Sequence, residues 1–574
     1  MVETNYIWDL QKTDDKVVDL LSKELKISKV LAKLLVIRGV FDFKSAQKFF
    51  RPNWGFFHDG FQMKDMLKSV ERLFKSIENE ENILIYGDYD VDGTCSVAMM
   101  SLFLKSLNAN VFTYQPDREE EGYGISLKSL DWMINNNIDL VVSLDCGIKD
   151  LKSAKAIKKA NIDLVICDHH NPGAELPVAY SILNPKQQKC NYPFKELCGC
   201  GVGLKLIQSY VNKYNFDVDL SPLIQLAAIA TTADIVPLID ENRVITYLGI
   251  NEMNNSPISA VEKLFQIAQK KGKVNTSDLV FKIAPRINAA GRLSNAKKAT
   301  ELLMSTKEDI ENLIYEIESI NKERRQMDEM ITIEALEQLS NQSSGRVTNI
   351  VYSPNWHKGV VGIVASRIIE SFYKPTIVFT GEGDTITGSA RSVKDFDIYQ
   401  VLEKLKHYFK RFGGHKYAAG LTIKKSDLIA FSNDFENEVQ KTILPNMLIP
   451  KIKIDSELCI DDLIVESSAH IFPKVYRIIN QMEPFGPSNP KPIFLFKNIL
   501  LNESPIIVGK KHMRFKFSSN KYNFLIDGIW FNSSHNYNHL KNIKSIDLVA
   551  ALNENHFNGV SKLQLIIKDV KFKN

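Results

Sequence analysis

Between Asn82 and about Pro185, short runs of Ile, Val and Leu alternate with longer segments of helical period. The runs are Asn82 to Gly87, Ala109 to Tyr114, Asp139 to Leu144 and Asp163 to Cys167, and Ser96 to Leu107, Leu127 to Asn136 and Asp150 to Ala160 lie between them. Apolar runs without polar alternation, separated by helices, predict a parallel sheet covered on both faces. Ligands of such sheets collect beyond the carboxyl ends of the strands. From about Lys307 to Leu339, the residues Ile310, Leu313, Ile314, Ile317, Ile320, Met327 and Ile331 recur at spacings of three, four and seven, uninterrupted by Gly or Pro. That spacing predicts one helix of about 50 Å connecting two bodies. Beyond it, Thr348 to Tyr352, Pro375 to Thr380 and Thr385 to Ser389 read as strands and Val361 to Ser371 as a helix, giving a smaller α/β module to about Leu444.

Helical period fades after a short stretch from Asp461 to Met482. The runs Pro492 to Lys497, Pro505 to Val508, Met513 to Phe517, Phe524 to Trp530, Ile546 to Leu552 and Leu563 to Ile567 follow. Short strands at close spacing predict a small antiparallel barrel. The expected organisation is α/β: an N-terminal helical segment (1–45), a parallel-sheet domain (46–300), a connecting long helix (301–345), a smaller α/β domain (346–446) and a barrel (447–574).

Composition narrows the class. With 574 residues, 44% of them hydrophobic, and 28 Gly and 20 Pro, the chain is neither collagen-like nor low-complexity nor disordered. A net charge of +4 is too small to indicate nucleic acid or membrane by itself, so any basic surface must be local. Of seven Cys, Cys95, Cys146, Cys167 and Cys459 lie in or beside apolar stretches and read as buried thiols in a reducing compartment. Cys190, Cys198 and Cys200 come nearest to a metal cluster, but Cys198-Gly-Cys200 lacks a matching second pair, which disfavours structural zinc. The start, MVETNYIWDLQK, is too acidic and polar for a signal peptide, and no run of 18 apolar residues occurs. A soluble, cytoplasmic protein is expected, with no membrane contact.

The sharpest local signal is Gly87-Asp88-Tyr89-Asp90-Val91-Asp92-Gly93-Thr94, where the first strand of the predicted sheet gives way to its helix. Carboxylates at alternate positions repel one another unless a cation holds them. An EF-hand loop would also open this way, but its twelfth position requires Glu, and counting from Asp88 that position is Met99. Other strand ends repeat the theme: Asp145 closes DLVVSLDCG, Asp168-His169-His170 closes DLVICDHH, and Asp234 ends the apolar helical run LIQLAAIATTAD. The candidate ligands are Asp90, Asp92, Asp145, His169, His170 and Asp234. Mixed carboxylate and imidazole donors suit manganese, magnesium or iron better than structural zinc. The set is large enough for two ions, the arrangement that clamps attacking and leaving oxygens in phosphoester hydrolysis. No Gly-x-Ser-x-Gly elbow accompanies a strand and no Walker lysine follows the glycines, so a serine hydrolase and a nucleotide-driven motor are both disfavoured.

DYDVDGT, LDCG, DHH and TTADIVPL, in this order, resemble the four motifs of the DHH phosphoesterase superfamily, and GGHKYAAG (413–420) resembles the loop of its associated DHHA1 domain. Pro285 to Arg292 (PRINAAGR) and Glu483 to Pro490 (EPFGPSNP) strengthen the likeness to the superfamily's bacterial single-strand-specific DNA exonucleases, which act from 5′ ends in DNA repair and recombination. The likeness covers about residues 45 to 570; Ser488 departs from it where Gly is expected, at what would be the junction of the DHHA1 domain and the barrel. It implies a parallel-sheet DHH domain, a DHHA1 domain and an OB-like barrel, with two divalent cations, Mn2+ or Mg2+. It also implies that Asp88 and Asp168 support the ligands from behind, that His415 touches the scissile region, and that Ser389, Arg391 and Arg118 anchor the 5′ phosphate. Gly413 and Gly414 would let the backbone approach phosphate, and Arg286, Asn288 and Arg292 are further candidates for backbone contacts.

The product would be a 5′-mononucleotide, and a channel between the two α/β bodies would admit one flexible strand while excluding a duplex. A RecQ-type helicase and a single-strand-binding protein are the implied partners of a monomeric enzyme. Competing readings are a DHH hydrolase of short oligoribonucleotides, cyclic dinucleotides or pyrophosphate, and a non-catalytic strand-binding protein. From Arg391 to Lys425 nine Lys or Arg face three acids, a local +6; either a solvated helix face or a phosphate-binding surface would produce this. In Lys510 to Phe517, strand period places Met513, Phe515 and Phe517 on a core face and Arg514 and Lys516 on a basic one.

Overall fold

The computed structural model describes residues 6–305, 309–342, 345–465, 470–519, 521–522, 524–557 and 559–571. The chain divides into two compact units, one formed by Gln47–Arg324 with Glu483–Pro490 and the other by the remainder. Strand β1 (Ile7–Leu10) opens the described chain and belongs to the second unit.

In the first unit, β2 (Asn82–Gly87), β3 (Asn110–Tyr114), β4 (Leu140–Leu144), β5 (Asp163–Cys167) and β6 (Ser181–Leu183) form one sheet in the order β3-β2-β4-β5-β6, parallel throughout. Successive side chains of a strand point to opposite faces. Ile83 and Ile85 of β2 therefore enter the larger core, with Val97 and Met100 of the helix Val91–Ser106, while Leu84 and Tyr86 enter a second core with Val141 and Ile157. Burial on both faces is why these strands carry apolar runs with no alternation. The predicted strands and intervening helices all form, β2 and β5 at their expected ends and the others within five residues of them. Beyond β6 the larger core is completed by helices, among them Gly199–Tyr214, Ser221–Ala233 and Asp240–Asn255.

The long helix is observed as Ile310–Ser340, 31 residues and about 46 Å at 1.5 Å per residue; the predicted start at Lys307 lies outside the described residues. Ile310, Ile314 and Ile317 are buried in the larger core of the first unit, and the helix continues past Arg324 into the second, where Ile331, Ala335 and Leu339 are buried. The second unit holds β7 (Asn349–Ser353), β8 (Thr376–Thr380), β9 (Thr385–Arg391), β10 (Phe409–His415) and β11 (Ala418–Lys424) in the order β10-β11-β9-β8-β7, with the helix Val361–Ser371 at its predicted bounds. The hairpin β10–β11 forms where no strand is predicted. Strand β10 is Gly-rich and basic, lacks apolar alternation and is a solvent-exposed edge of the sheet, whereas Ala419, Leu421 and Ile423 of β11 alternate into the core.

The strands β12 (Lys451–Ile454), β13 (Ser456–Glu457), β14 (Ile493–Leu501), β15 (Ile506–Val508), β16 (His512–Ser518), β17 (Leu525–Trp530), β18 (Ser545–Phe557) and β19 (Val560–Lys571) follow. Pairing runs β14–β18–β19–β17–β16, and Leu500 and Leu501 of β14 pair back to Ser518 and Phe517 of β16, which closes a five-stranded barrel. Met513, Phe515 and Phe517 are buried inside it, as the period of the sequence predicts, and Arg514 faces solvent. The N-terminal segment is not wholly helical: β1 pairs in parallel with β12, Trp8 donates to Asp569 at 2.8 Å, and Arg38 meets Asp455 at 3.2 Å in a buried pair. Among the described residues, no helix is long and apolar enough to cross a membrane.

Two sequence expectations are corrected. Cys459 is exposed, because it precedes a short 3-10 turn at the surface, whereas Cys95, Cys146 and Cys167 are buried as expected. Ser488 lies in the segment 483–490 of the first unit, where Leu238 donates to Pro487 at 2.7 Å, and not at a junction with the barrel. Its φ of +63° is the left-handed geometry that explains why Gly is the expected residue there.

The barrel core yields a direct test. Phe515→Ala should cost about 3–5 kcal/mol and speed hydrogen exchange of the β16 and β17 amides in the full chain. Lys516→Ala, which removes a surface pair to Glu503 at 3.2 Å, should change stability by less than about 0.5 kcal/mol and leave that exchange unaltered.

Candidate metal centre and strand-binding residues

The acidic groups gather at the carboxyl ends of β2, β4 and β5 because each strand hands over to its next segment there. Asp90 caps the helix Val91–Ser106 by accepting from Gly93, and Asp92 sits in that helix's first turn. Asp145 follows β4 at φ +62°, His169 and His170 follow β5 by two and three residues, and Asp234 caps the carboxyl end of the helix Ser221–Ala233. Three overlapping sets result, each with ligand atoms within 4.8 Å of one another: Asp145, His169 and His170; Asp92, His169 and Asp234; and Asp88, Asp90 and Asp145. Asp145 and His169 each belong to two sets. All six sequence-predicted ligands are thus brought together.

Asp88 and Asp168, paired in the sequence reading as supports, have different roles. Asp168 accepts from the backbone N–H groups of Ile148, His169 and His170 and from His170 Nδ1 at 2.8 Å. Burial opposes its charge, but these bonds, led by that from His170, hold its carboxyl down at about 2. It is a fixed anion that orients His170. Asp88 instead offers a carboxylate oxygen to the acidic group, and its buried Oδ1 has no hydrogen-bond partner. Burial and then the charge of Asp90 push its carboxyl well above the ordinary range. Beside the support role expected of it, Asp88 is thus placed as a further candidate ligand.

The same forces act on the other acids. Burial raises Asp145 and Asp234, with the charge of Asp92 as the next cause in each. The His169 ring is kept neutral, its pKa pushed down to about 3 by burial and by His170. Its Nε2 nevertheless faces Asp145 at 3.2 Å, Asp234 at 3.7 Å and Asp92 at 3.9 Å. A neutral imidazole cannot balance this many carboxylates, and a bound cation can.

Several supporting residues escaped the sequence reading. Cys198-Gly-Cys200, weighed there as a zinc fragment, starts the helix Gly199–Tyr214, whose Gly199 and Cys200 N–H groups donate to Asp92 at 2.6 and 2.7 Å. Gly199 is required, because a Cβ there would lie 2.5 Å from the Asp145 Cβ. Tyr123 donates its hydroxyl to the Asp145 carbonyl at 3.0 Å and lies 3.1 Å from His170 Nδ1. Gln115 donates to the Asp88 carbonyl at 2.9 Å and is held by Thr300. The only sequence signal for these contacts is a glycine-rich helix start after a strand.

The strand-binding candidates divide between the units. In the first, the Arg118 guanidinium lies 5.2 Å above the Tyr89 ring, and the charges of Arg118 and Arg292 both act on Tyr89; Asn288 is half-buried. Arg286 does not present its guanidinium outward. It makes two bonds to Glu318, at 2.7 and 3.2 Å, and one to the Lys282 carbonyl at 2.6 Å, so the expected DNA contact is corrected to a brace between two helices. In the second unit, register aligns Arg391, Ala418 and His415 across three strands, and Ser389, Gly420 and Gly413 beside them. Arg391 donates to Ser389 Oγ at 3.0 Å. Burial and the Arg391 charge lower the His415 pKa. Gly414 is needed at φ +156°, where a Cβ would lie 2.4 Å from the Ala418 carbonyl, whereas space beside Gly413 is open. The basic stretch is therefore mainly a hairpin; only Ile398–Lys404 within it is α-helical.

A pH dependence follows from Asp92, whose carboxyl rises from 3.8 to about 7 through burial and the charge of Asp90, against the N–H bonds from Cys200 and Gly199. A raised carboxyl pKa contributes stability that is complete below the unfolded value and is lost as pH rises through the folded one. Between pH 3.8 and about 7, metal-free protein should thus lose stability relative to Asp92→Asn. Melting temperatures in chelator should show the variant's advantage widening by several degrees over that range, and a constant difference would contradict the assignment.

Three family models match the chain in order: the DHH family N-terminal domain at residues 82–231, the DHHA1 domain at 346–441 and the RecJ OB domain at 462–569. The single-stranded-DNA-specific exonuclease RecJ of Bacillus subtilis is 35% identical over 99% of this chain and 71% of its own length, and that of Escherichia coli is 31% identical over 94% and 95%. A crystal structure of RecJ from Thermus thermophilus in complex with Mn2+ matches the fold over 100% of this chain and 80% of that one, with a TM-score of 0.84 at 23% identity. A crystal structure of exonuclease RecJ bound to manganese matches over 67% of this chain and 96% of that one, with a TM-score of 0.59 at 28% identity. The chain belongs to the RecJ family of single-stranded-DNA-specific exonucleases.

Proposed function

We propose that this protein hydrolyses single-stranded DNA from its 5′ end and releases 5′-mononucleotides, using two divalent cations, Mn2+ or Mg2+. The observation that carries this reading is the overlap of three ligand sets on Asp145 and His169, which suits them to serve both ions. Asp90, Asp92, His170 and Asp234 would complete the coordination, and Asp88 joins them because its buried carboxylate oxygen lacks any other partner. The donor set fits hard cations, being mostly carboxylate, and the buried polar atoms left without hydrogen bonds include Asp234 Oδ2. When bound, such a pair supplies a Lewis acid and water of lowered pKa.

The chain's own residues bind and orient. Gly199 and Cys200 fix Asp92, Asp168 fixes His170, and Tyr123 holds the loop after β4. Ser389 and Arg391 offer a hydroxyl and a guanidinium side by side, a pairing suited to a terminal phosphate. His415, two strands over from Arg391, would contact the scissile region, Gly413 and Gly414 would admit the backbone, and Arg118, Asn288 and Arg292 would meet the sugar-phosphate chain. The closed barrel, with Arg514 on its outer face, would extend the grip on a long strand, which favours DNA over dinucleotides as substrate. The expected setting is DNA repair and recombination in the cytoplasm, as a monomer supplied with single strands by a RecQ-type helicase and a single-strand-binding protein.

The test is manganese-dependent digestion of one oligonucleotide labelled separately at each end, with and without a 5′ phosphate. The 5′ label should leave first, as a mononucleotide, and Asp145→Ala or His169→Ala should reduce turnover by at least about a thousandfold while strand binding persists. Release from the 3′ end, or cleavage confined to dinucleotides, would overturn the reading.

A further inference from the structure

Ile235 follows Asp234 and adopts φ +61°. The left-handed region is costly for a β-branched side chain. Among the described residues, the other non-glycine positions with positive φ carry Asp, Asn, Lys, Glu, Gln or Ser, and Ile235 alone is apolar and branched. Its surroundings impose the conformation. On one side Asp234 is tied to the helix Ser221–Ala233 by its N–H bond to Ala230 at 2.9 Å. On the other, Leu238 is buried and donates to Pro487 at 2.7 Å, while the buried Asn242 amide bonds the carbonyls of Pro237 at 3.0 Å and Glu196 at 2.6 Å. The chain must turn sharply between these anchors. Gly, Asn or Asp would make the same turn more easily.

Burial does not explain the isoleucine either, since 69% of it is exposed. A single exposed apolar residue is ordinary. One that is exposed, strained and adjacent to a carboxylate 3.7 Å from His169 is not. Strain that persists at a site where the fold over-determines the backbone points to a use for the side chain. We propose that Ile235 is a specificity-determining residue whose apolar surface packs against the nucleotide being removed, on its base or its deoxyribose. The proposal rests on the reading of Asp234 as a metal ligand in an exonuclease.

Full-length Ile235→Asn and Ile235→Val separate the contributions. Ile235→Asn should melt at or above the unsubstituted protein, because Asn tolerates the left-handed turn, and should bind Mn2+ alone with unchanged affinity. Its KM for a 5′-phosphorylated oligonucleotide should rise about fivefold or more, while Ile235→Val stays within about twofold. If an abasic 5′ terminus abolishes the difference, the contact is with the base; if the difference persists, it is with the sugar. An unchanged KM in Ile235→Asn would overturn the proposal, as would loss of Mn2+ affinity, which would make Ile235 a positioning residue for Asp234. Failure of the underlying reading would be distinguishable, since Asp234→Asn would then retain full Mn2+ affinity and turnover.

Discussion

Repulsion among carboxylates confined at the carboxyl ends of a parallel sheet is the constraint around which the first unit is built. Asp88, Asp92 and Asp145 are buried, Asp90 and Asp234 half-buried, and burial first, then their mutual charge, raises the carboxyl pKa of Asp88, Asp92, Asp145 and Asp234 above the ordinary range. Proteins tolerate such a group when a cation compensates it. The neighbouring backbone does part of that work before any ion arrives. Two N–H groups at a helix start point at Asp92, and a second set of three converges on Asp168, where the result is the opposite of that at Asp92: a carboxyl held down at about 2.

The contrast between Asp88 and Asp168 shows how one pocket assigns different tasks to the same side chain. Asp168 engages both oxygens with N–H donors, Oδ1 also with the His170 ring, and is held as an anion by them. Asp88 keeps an oxygen free inside the acidic group. The distinction depends on where N–H groups point, and the turn geometry decides that.

Much of the fold was readable because burial imposes a pattern. Strands covered on both faces had to be continuously apolar, the 31-residue helix had to repeat at helical spacing, and Phe515 had to share a face with Met513 and Phe517. The six candidate ligands were readable because acids and imidazoles at the ends of apolar runs have no packing reason to be there. What could not be read were features without a periodic cost. Strand β10 is an exposed Gly-rich edge, Gly199 matters for an absent Cβ, and Arg286 looks like any surface arginine until Glu318 is found beside it. The strain at Ile235 is likewise a property of anchors distant in sequence, at Pro487 and, through Asn242, at Glu196.

The central claim is that these side chains hold a pair of divalent cations through shared ligands. Anomalous diffraction from a crystal soaked in manganese tests it most directly. Two peaks a few ångströms apart, with Asp145 and His169 between them, are the predicted result. A pocket that stays empty at saturating manganese, or peaks that avoid Asp145 and His169, would contradict the account.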